Sequence, residues 1–394
     1  MPVKHDKLAI ALAAALALLG VGTSHAENAG SDIFSVSGYG TIGVVHSSED
    51  RADFVTIAGK TGAGYSSSVA ASPDSRVALQ VDGKFSDKLS GVVQLASELD
   101  RADSYKPQLL VANLKYQFTP AFSVNAGRIV SPDFMLSDSQ RIGYAFPWVR
   151  PPSEVYSFAF PLDGVEANYR FNLGGVAISS QAFFGHTGTP DINIIAAKGI
   201  NLQAEMGPSS LRVAYVRTKI DLKSAQLSAL LNYYRPTFAA LADQYEVKGD
   251  ALQFAEIGYS YDPGSWFFRT EVTRLTGVQD LLGKNTSMYA SGGFRIDKFT
   301  PYVTLAKVKV DSPLTIGSAD PIGVINGVLA STNVARKSFT VGTRWDFRAN
   351  TALKLEFAQV KNDKGSSGAL KNLQPNFVPG KSYNLISASV DFVF

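Results

Sequence analysis

A unit of about ten residues repeats along the chain from Phe34 to the C-terminus. Each unit is rich in Val, Leu, Phe, Tyr and Thr and alternates apolar residues with polar or small ones, which is the period of a β-strand. In the last unit apolar side chains occupy every second position from Ile386 to Phe394, and polar residues such as Ser387 and Asp391 lie between them. Each strand is therefore expected to have one apolar face and one polar face.

The connections between these strands alternate in length. Seven short turns lie at 86–88, 119–120, 172–174, 207–209, 262–264, 297–299 and 348–350, and each contains turn-forming residues. Eight longer polar segments lie at about 46–74, 100–108, 130–162, 187–198, 219–250, 276–285, 311–335 and 362–381. Seven turns and eight loops join sixteen strands. Short turns at one rim, long loops at the other and an even strand number predict a closed transmembrane antiparallel β-barrel, because closure leaves no unpaired backbone in lipid.

A soluble β-sandwich is the alternative, since alternation shows only that one side of each strand is buried. Greek-key connections have mixed lengths, however, and do not explain the regular change between turns and loops. The polar face also carries full charges in mid-strand, and a water-filled lumen accommodates them: Lys84, Arg170, Arg212, Arg269, Glu271, Arg344, Lys354 and Glu356.

The first 26 residues have the pattern of a cleaved signal peptide. Lys4 and Lys7 precede an apolar run from Leu8 to Val21, and small residues lead up to Ala26. A retained membrane anchor is the alternative, but the run of about 14 residues is shorter than the ~20 that a spanning helix needs. We expect an exported protein whose mature barrel covers 27–394.

Composition excludes several classes of function. The chain has no cysteine, which rules out disulfides, thiol catalysis and thiolate metal sites. Its formal net charge of +3 falls to +2 once Lys4, Lys7 and Asp6 are removed, too little for nucleic-acid binding. No zinc, phosphate-loop or dinucleotide motif is present. We therefore expect no cofactor, no metal and no nucleic-acid partner.

Three segments together resemble the Gram-negative general porins across essentially the whole mature chain. They are Phe34-Ser-Val-Ser-Gly-Tyr-Gly-Thr-Ile-Gly-Val, the run Leu114-Lys-Tyr-Gln-Phe followed by a proline turn and Ala126-Gly-Arg128, and a last strand that ends in Phe394. The resemblance implies a sixteen-stranded barrel, usually trimeric, in the bacterial outer membrane among its lipid and lipopolysaccharide. It also implies that Phe394 belongs to the signal read by the outer-membrane assembly machinery.

The resemblance further implies that the third long loop, 130–162, folds into the lumen and narrows it. Porin constrictions set loop carboxylates against basic wall residues, and the resulting transverse field orders water and dipolar solutes. The candidate loop carboxylates are Asp133, Asp138 and Glu154, and the candidate wall cations are Arg76, Lys84, Arg128 and Arg170. Strict alternation turns Arg128 outward unless Gly127 bulges. The loop's many aromatic residues are expected to pack on the barrel wall or on a neighbouring subunit.

One segment departs from the strand pattern. Residues 221–247 contain Leu, Tyr and Phe at helical spacing with many alanines, and Arg235-Pro236 interrupts them. We expect a helical insertion that packs as a compact loop on the rim; entry into the pore is the alternative.

The pattern indicates a channel for passive diffusion of small hydrophilic solutes and ions, and not an enzyme. Only His46 and His186 remain after signal-peptide removal, both near strand ends, and no local motif supplies a catalytic set. A channel selective for a sugar or an organic anion is the main alternative, and an outer-membrane enzyme or adhesin is a weaker one.

Overall fold

The computed structural model describes residues 33–394, except 57–59, 101, 157–159, 190–191, 278–280 and 282. The signal-peptide prediction for 1–26 lies outside these residues.

Sixteen long strands make up the wall within the described part of the chain. They are β1 (Phe34–Ser47), β2 (Arg76–Lys84), β3 (Leu89–Glu98), β4 (Gln108–Thr119), β5 (Phe122–Val130), β6 (Pro161–Leu173), β7 (Val176–Gly188), β8 (Ile192–Met206), β9 (Ser209–Leu222), β10 (Lys248–Tyr261), β11 (Trp266–Gly277), β12 (Asn285–Phe294), β13 (Phe299–Val310), β14 (Arg336–Arg348), β15 (Thr351–Asn362) and β16 (Ser382–Val393).

The sheet closes on itself. Each long strand pairs antiparallel with the next, and β1 pairs with β16 from Tyr39 opposite Val393 to Ser47 opposite Leu385. In the first loop Val69–Ala70 adds to β1, and the two-residue strands Asp53–Phe54 and Ala63–Gly64 pair with each other. The predicted all-β, sixteen-stranded barrel is confirmed.

Small residues make the closing seam possible. The backbones of Gly38 and Phe394 exchange hydrogen bonds of 2.9 and 3.0 Å. The ring of Phe394 covers Gly38 and the ring of Phe392 covers Gly40, so closely that neither glycine has room for a β-carbon. The glycines of the first strand therefore admit the aromatic rings of the last one.

The two faces of the wall differ as the alternation predicts. On β14, Phe339 and Trp345 are 44% and 39% exposed, whereas Arg336 on the opposite face is 6% exposed. At the short-turn rim Trp345 stacks on Phe299 with ring centroids 5.7 Å apart. A band of apolar residues with an aromatic girdle on the outside is the surface that a membrane barrel presents to lipid.

One predicted connection was wrong. The segment 187–198 is mostly strand, because β7 continues to Gly188 and β8 already begins at Ile192. The register between these strands shifts at Gly185/Thr187, and that between β8 and β9 shifts between Ile194 and Ala196. Such bulges break strict alternation, so the sequence pattern here resembled a loop.

Three α-helices lie in the long loops of the described chain. Residues 221–247 form the end of β9 followed by α1 (Ala225–Tyr234) and α2 (Ala239–Tyr245), and the loop 311–335 contains α3 (Val324–Thr332). The three helices share a small core at the rim that includes Tyr234, Tyr245 and Leu329. Among the described residues, none of the helices has the length and apolarity needed to cross a lipid bilayer.

Candidate channel and its inserted loop

The third loop spans 131–160 in the structure, and a buried lysine of β15 holds it in place. The ammonium of Lys354 donates to the carbonyl oxygens of Gly143 and Trp148, each at 2.6 Å. It also forms an ion pair with Asp391 of β16 at 3.0 Å, and none of its side chain is exposed. Because an ammonium at such depth requires several oxygen partners, this contact fixes the position of the loop.

Arg150 forms a second anchor at the far part of the loop. Its guanidinium makes a bidentate pair with Asp74 at 2.6 and 2.8 Å and donates to Ser387 of β16 at 2.8 Å. Glu356 of β15 lies 3.4 Å from the same group. Burial opposes the charge of Arg150, but Asp74 and Glu356 outweigh it and hold its pKa above the usual value.

The two ends of the loop are tied to the opposite part of the wall. The backbone amide of Met135 donates to Glu271 of β11 at 3.1 Å, and the hydroxyl of Tyr156 donates to the same carboxylate. Burial, together with the neighbouring Glu271, raises the pKa of Tyr156 well above its ordinary range. Arg212 of β9 donates to the carbonyl oxygen of Pro132.

Aromatic packing fills the space between these polar anchors. Phe134, Phe146, Trp148 and Tyr156 are at most 4% exposed and belong to one core cluster. The wall supplies the other side of that cluster, including Phe183, Phe254, Phe267, Tyr289 and Tyr302. The indole N–H of Trp148 donates to Ser291 and Thr304 at 3.0 Å. Apart from Phe183 of β7, these contacts lie on inward-facing positions of β9 to β16, so the loop covers mainly that part of the interior.

The opposite part of the interior, along β2 to β7, contains open space. A cavity of about 420 Å³ is lined by polar groups of the wall, including Gln80, Gln94, Asn113, Asn125, Asn168 and Gln181. Gln94 donates to Gln80 at 2.8 Å, and Asn125 and Asn168 both donate to Glu166. The wall here is therefore rich in carboxamides, and four charged wall residues, Asp82, Lys115, Glu166 and Arg170, lie among them.

Two further cavities adjoin the same stretch of wall. One, of about 470 Å³ on the long-loop side, is lined by Arg76, Glu98 and Arg141 among others, and Arg141 of the loop pairs with Glu98 at 2.9 Å. The other, of about 570 Å³, lies at the short-turn rim and is lined by Lys84 and Asp82 among others.

The predicted loop carboxylates fall into two groups. Asp133 and Glu154 are buried: Ser131 donates to Asp133 at 2.7 Å, and Glu154 pairs with Arg336 at 3.2 Å. Burial raises the pKa of Asp133 to about 6. Asp138 instead lines the carboxamide-rich cavity, where its side chain is exposed. Its position inside the barrel still removes part of its hydration, and this desolvation raises the pKa of Asp138 as well.

The predicted wall cations also lie in different parts of the barrel. Arg76 and Arg170 line the cavities on the long-loop side and beside Asp138, respectively. Lys84 lies at the short-turn rim, 3.5 Å from Asp87. Arg128 pairs with Asp163 of β6 at 2.7 Å.

Arg128 points outward. The β5–β6 register runs without a shift, and Ile129 and Leu162, the next cross-strand pair, are buried against the inserted loop. Arg128 and Asp163 must therefore stand on the other face. Gly127 does have a positive φ of 128°, yet the arginine stays on the outward face with Asp163, where it also borders the end of the long-loop-side cavity. The structure thus brings Asp138 and Arg170 to one cavity, Arg76 and Arg128 to a second, and Arg76 and Glu154 to a third of about 320 Å³, whereas Asp133 and Lys84 lie apart from these sets.

Sequence reasoning missed the anchoring role of several mid-strand charges. Alternation predicts a water-filled lumen around Lys354, Glu356, Arg212 and Glu271, but the structure buries each of them under the loop. Their position on the inward face was the only available signal, and alternation does not tell what covers that face. Among the described residues no group of three or more His, Cys, Asp or Glu side chains is arranged to hold a metal ion.

Comparison with solved structures places this architecture among bacterial outer-membrane channels. The anion-selective porin of Comamonas acidovorans aligns with a TM-score of 0.55 and 13% identity, over 92% of this chain and 100% of that one. Salmonella typhi OmpF in complex with daunomycin gives 0.56 and 10%, over 92% and 97%. The channel DcaP of Acinetobacter baumannii gives 0.57 and 12%, with the same coverage.

At these identities the likeness concerns the fold: the chain has the fold of Gram-negative porins. No protein-family model matches the sequence, and no curated protein matches it.

Proposed function

We propose that this protein is an outer-membrane porin through which small hydrophilic solutes and ions diffuse passively. One observation carries the proposal: within a closed barrel with an apolar exterior, the inserted loop leaves a polar space along β2 to β7. Water and small polar solutes can occupy such a space because carboxamide and carboxylate groups replace their hydration.

We place the narrowest part where the loop faces this wall. Asp138 and Arg141 belong to the loop edge, and Arg76 and Glu98 belong to the wall beside it. Charges of both signs across a passage with low-dielectric walls create a transverse field. Arg170 lies in the inner cavity with Asp138 and extends that field toward the short-turn rim.

The carboxamide lining favours a second candidate, a channel selective for neutral hydroxylated solutes such as sugars. Asn and Gln side chains both donate and accept hydrogen bonds, and seven of them line one cavity. A weak site there would make transport saturable, whereas a general porin shows no binding step. An organic anion fits less well, because Asp82, Asp138 and Glu166 line the same cavity.

Residence and assembly belong to the same proposal. Residues 1–26 would direct export, and the barrel would insert in the outer membrane through machinery that reads the last strand with Phe394. A homotrimer is expected by analogy, since a trimer form is described for OmpT of Vibrio cholerae, a structural neighbour at 11% identity.

An enzymatic role has little support. His46 lies on β1 and hydrogen-bonds through Nδ1 to the carbonyl oxygen of Ser68 at 2.7 Å. His186 stands opposite Asp163 on the outward face of β7. Neither arrangement contains the nucleophile that a hydrolase needs beside its base.

The experiment is single-channel recording of the refolded mature protein in planar bilayers, under a salt gradient and then with added sugars and carboxylates. Stepwise conductance that solutes do not change supports the general porin. Block that saturates with sugar concentration supports the selective channel instead. A folded, heat-modifiable barrel without conductance would overturn both.

A further inference from the structure

The cavity of about 320 Å³ differs in character from the carboxamide-rich cavity of the passage. Residues of the inserted loop, of the first and last loops and of wall strands from β10 to β14 surround it. It shares Thr56 and Arg76 with the cavity of about 470 Å³, so a solute that enters on the long-loop side can reach it. Its volume suits a small organic molecule. Much of its lining is buried and apolar, including Phe54, Val155, Phe254, Val308, Leu370 and Tyr383.

One polar side chain of this cavity has no partner inside the protein. Gln140 of the inserted loop is only 4% exposed. Neither its Oε1 nor its Nε2 has a hydrogen-bond partner among the residues that the structure describes. A buried carboxamide without partners is unfavourable, because it has given up its hydrogen bonds to water. A ligand in the cavity that accepts a hydrogen bond from Gln140 removes part of this cost.

Arg76 supplies a positive charge where the two cavities meet. Its Nε donates to the carbonyl oxygen of Asp74 at 3.4 Å, and no carboxylate of the described chain forms an ion pair with its guanidinium. Glu98 is directly opposite Arg76 on β3, but its carboxylate pairs with Arg141 at 2.9 Å. The guanidinium of Arg76 is therefore available to an anion.

The remaining charges of the cavity do not oppose an anion. Glu154 is the one carboxylate among the described lining residues, and it pairs with Arg336 at 3.2 Å. Arg150 forms ion pairs with carboxylates behind the lining. Lys371 adds another cation. An anion here meets no unpaired carboxylate, in contrast to the carboxamide-rich cavity, which three acidic wall and loop residues line.

We propose that this cavity binds a small carboxylate with an aromatic or branched hydrocarbon body. Arg76 and Gln140 donate to the carboxylate, since an ionised oxygen strengthens hydrogen bonds from a guanidinium or an amide. Phe54, Val155 and Leu370 contact the hydrocarbon, whose transfer from water to an apolar wall is favourable. The site goes beyond the proposed channel, because binding there requires the folded barrel and no conduction.

The test measures benzoate binding to the refolded, detergent-solubilised mature barrel by saturation-transfer NMR, with empty micelles as a blank. Gln140→Met removes the hydrogen-bonding atoms at similar volume, and Arg76→Met removes the charge. The matched controls are Gln94→Met and Arg170→Met, which make the same changes in the carboxamide-rich cavity. Benzyl alcohol, which lacks the charge, and acetate, which lacks the apolar body, are titrated in parallel.

Benzoate affinity should fall about 10-fold or more in Gln140→Met and in Arg76→Met, because each loses a hydrogen bond to a charged group. Both controls should bind benzoate as the wild type does, and benzyl alcohol and acetate should bind the wild type at least about 10-fold more weakly. Gln140→Met should also raise the urea midpoint of unfolding, since it removes a buried amide without partners. Lost binding in that variant would then not reflect a damaged fold.

Wild-type affinity in Gln140→Met or Arg76→Met, or an equal loss in the matched controls, would contradict the proposal. Benzyl alcohol that binds as tightly as benzoate would contradict the role given to Arg76. Single-channel conductance of the wild type is recorded separately. A barrel that conducts but does not bind benzoate would exclude this site alone, whereas one that binds benzoate without conducting would exclude the channel and leave the site.

Discussion

The two sides of the barrel interior use polar residues in opposite ways. From β9 to β16 the inward face carries full charges, and the inserted loop buries them in pairs such as Lys354 with Asp391 and Arg212 with Glu256. From β2 to β7 the inward face carries carboxamides and charged groups that border open cavities. Charges that hold a loop must be paired because they leave water. Groups that border a water-filled passage keep contact with water, so both neutral and charged side chains can stand there without a buried partner.

The largest expected effect comes from breaking an anchor. Lys354→Met removes the ammonium that binds two loop carbonyls and leaves Asp391 buried without its cation. We expect the free energy of unfolding to fall by about 3–5 kcal/mol and single-channel conductance to rise as the loop is released. Urea unfolding and bilayer recording measure the two effects.

Lys115→Met on β4 is the matched control, since Lys115 lines the open cavity. It should leave the free energy of unfolding within about 0.5 kcal/mol of the wild type. If both variants lost the same free energy of unfolding, charges on the two sides of the barrel interior would contribute equally to stability, contrary to the comparison above.

A smaller effect concerns pH. Burial raises the pKa of Asp133 from 3.8 to about 6 in the folded state. Between about pH 4 and 6 the folded state keeps a proton that the unfolded state releases, so this residue costs stability as pH rises, and the loss is complete above about 6. Asp133→Asn should stabilise the barrel at pH 8 by up to about 3 kcal/mol, with no gain below pH 4.

Thermal unfolding followed by electrophoretic mobility, from pH 3 to 8, measures this difference. Asp87→Asn, at an exposed turn of the opposite rim, is the control. A variant curve parallel to that of the wild type across the whole range would contradict the assignment.

Ion selectivity should respond to the charge of Asp138, in the open cavity, and not to that of the buried Glu154. Asp138→Lys reverses a charge in the open cavity and should shift the reversal potential in a salt gradient toward anions. Glu154→Gln removes a carboxylate that is buried with Arg336, so it should weaken loop anchoring and leave the reversal potential unchanged. A shift of the same size in both variants would place Glu154 on the conduction path.

The smallest effect is expected outside the barrel. Arg128→Gln breaks a partly exposed pair with Asp163 on the outward face, which should cost at most about 1 kcal/mol and leave the conductance at its wild-type value. Arg170→Gln, inside the inner cavity, should change the reversal potential. Altered conduction in Arg128→Gln would mean that its guanidinium reaches the lumen.

The wall was predictable from sequence because a strand's period is local. Alternation around Leu355 and Trp345 identified the outward face, and turn residues identified all seven short connections. The pattern failed where a bulge shifted the period near Ile194, and α3 went unpredicted inside a polar loop.

The candidate site was harder to predict, since neither burial nor pairing is a local property. Asp133 and Asp138 are five positions apart in one loop. Asp133 is buried, and Arg212 donates to its carbonyl oxygen, whereas Asp138 borders the open cavity. Only the folded loop distinguishes them. The same limit explains why alternation predicts that Lys354 faces water and does not reveal that it anchors the loop.

The seam between the first and last strands has a consequence for how the protein forms. Thr41 and Asp391, hydrogen-bonded across it, are 350 residues apart, and pairing over such a distance carries a large loop-closure entropy. Until the final strand is present, β1 and β15 both have unpaired edges, which lipid does not tolerate. Synthesis of the chain must therefore be complete before the barrel can insert. A chain that lacks its last dozen residues cannot close the barrel.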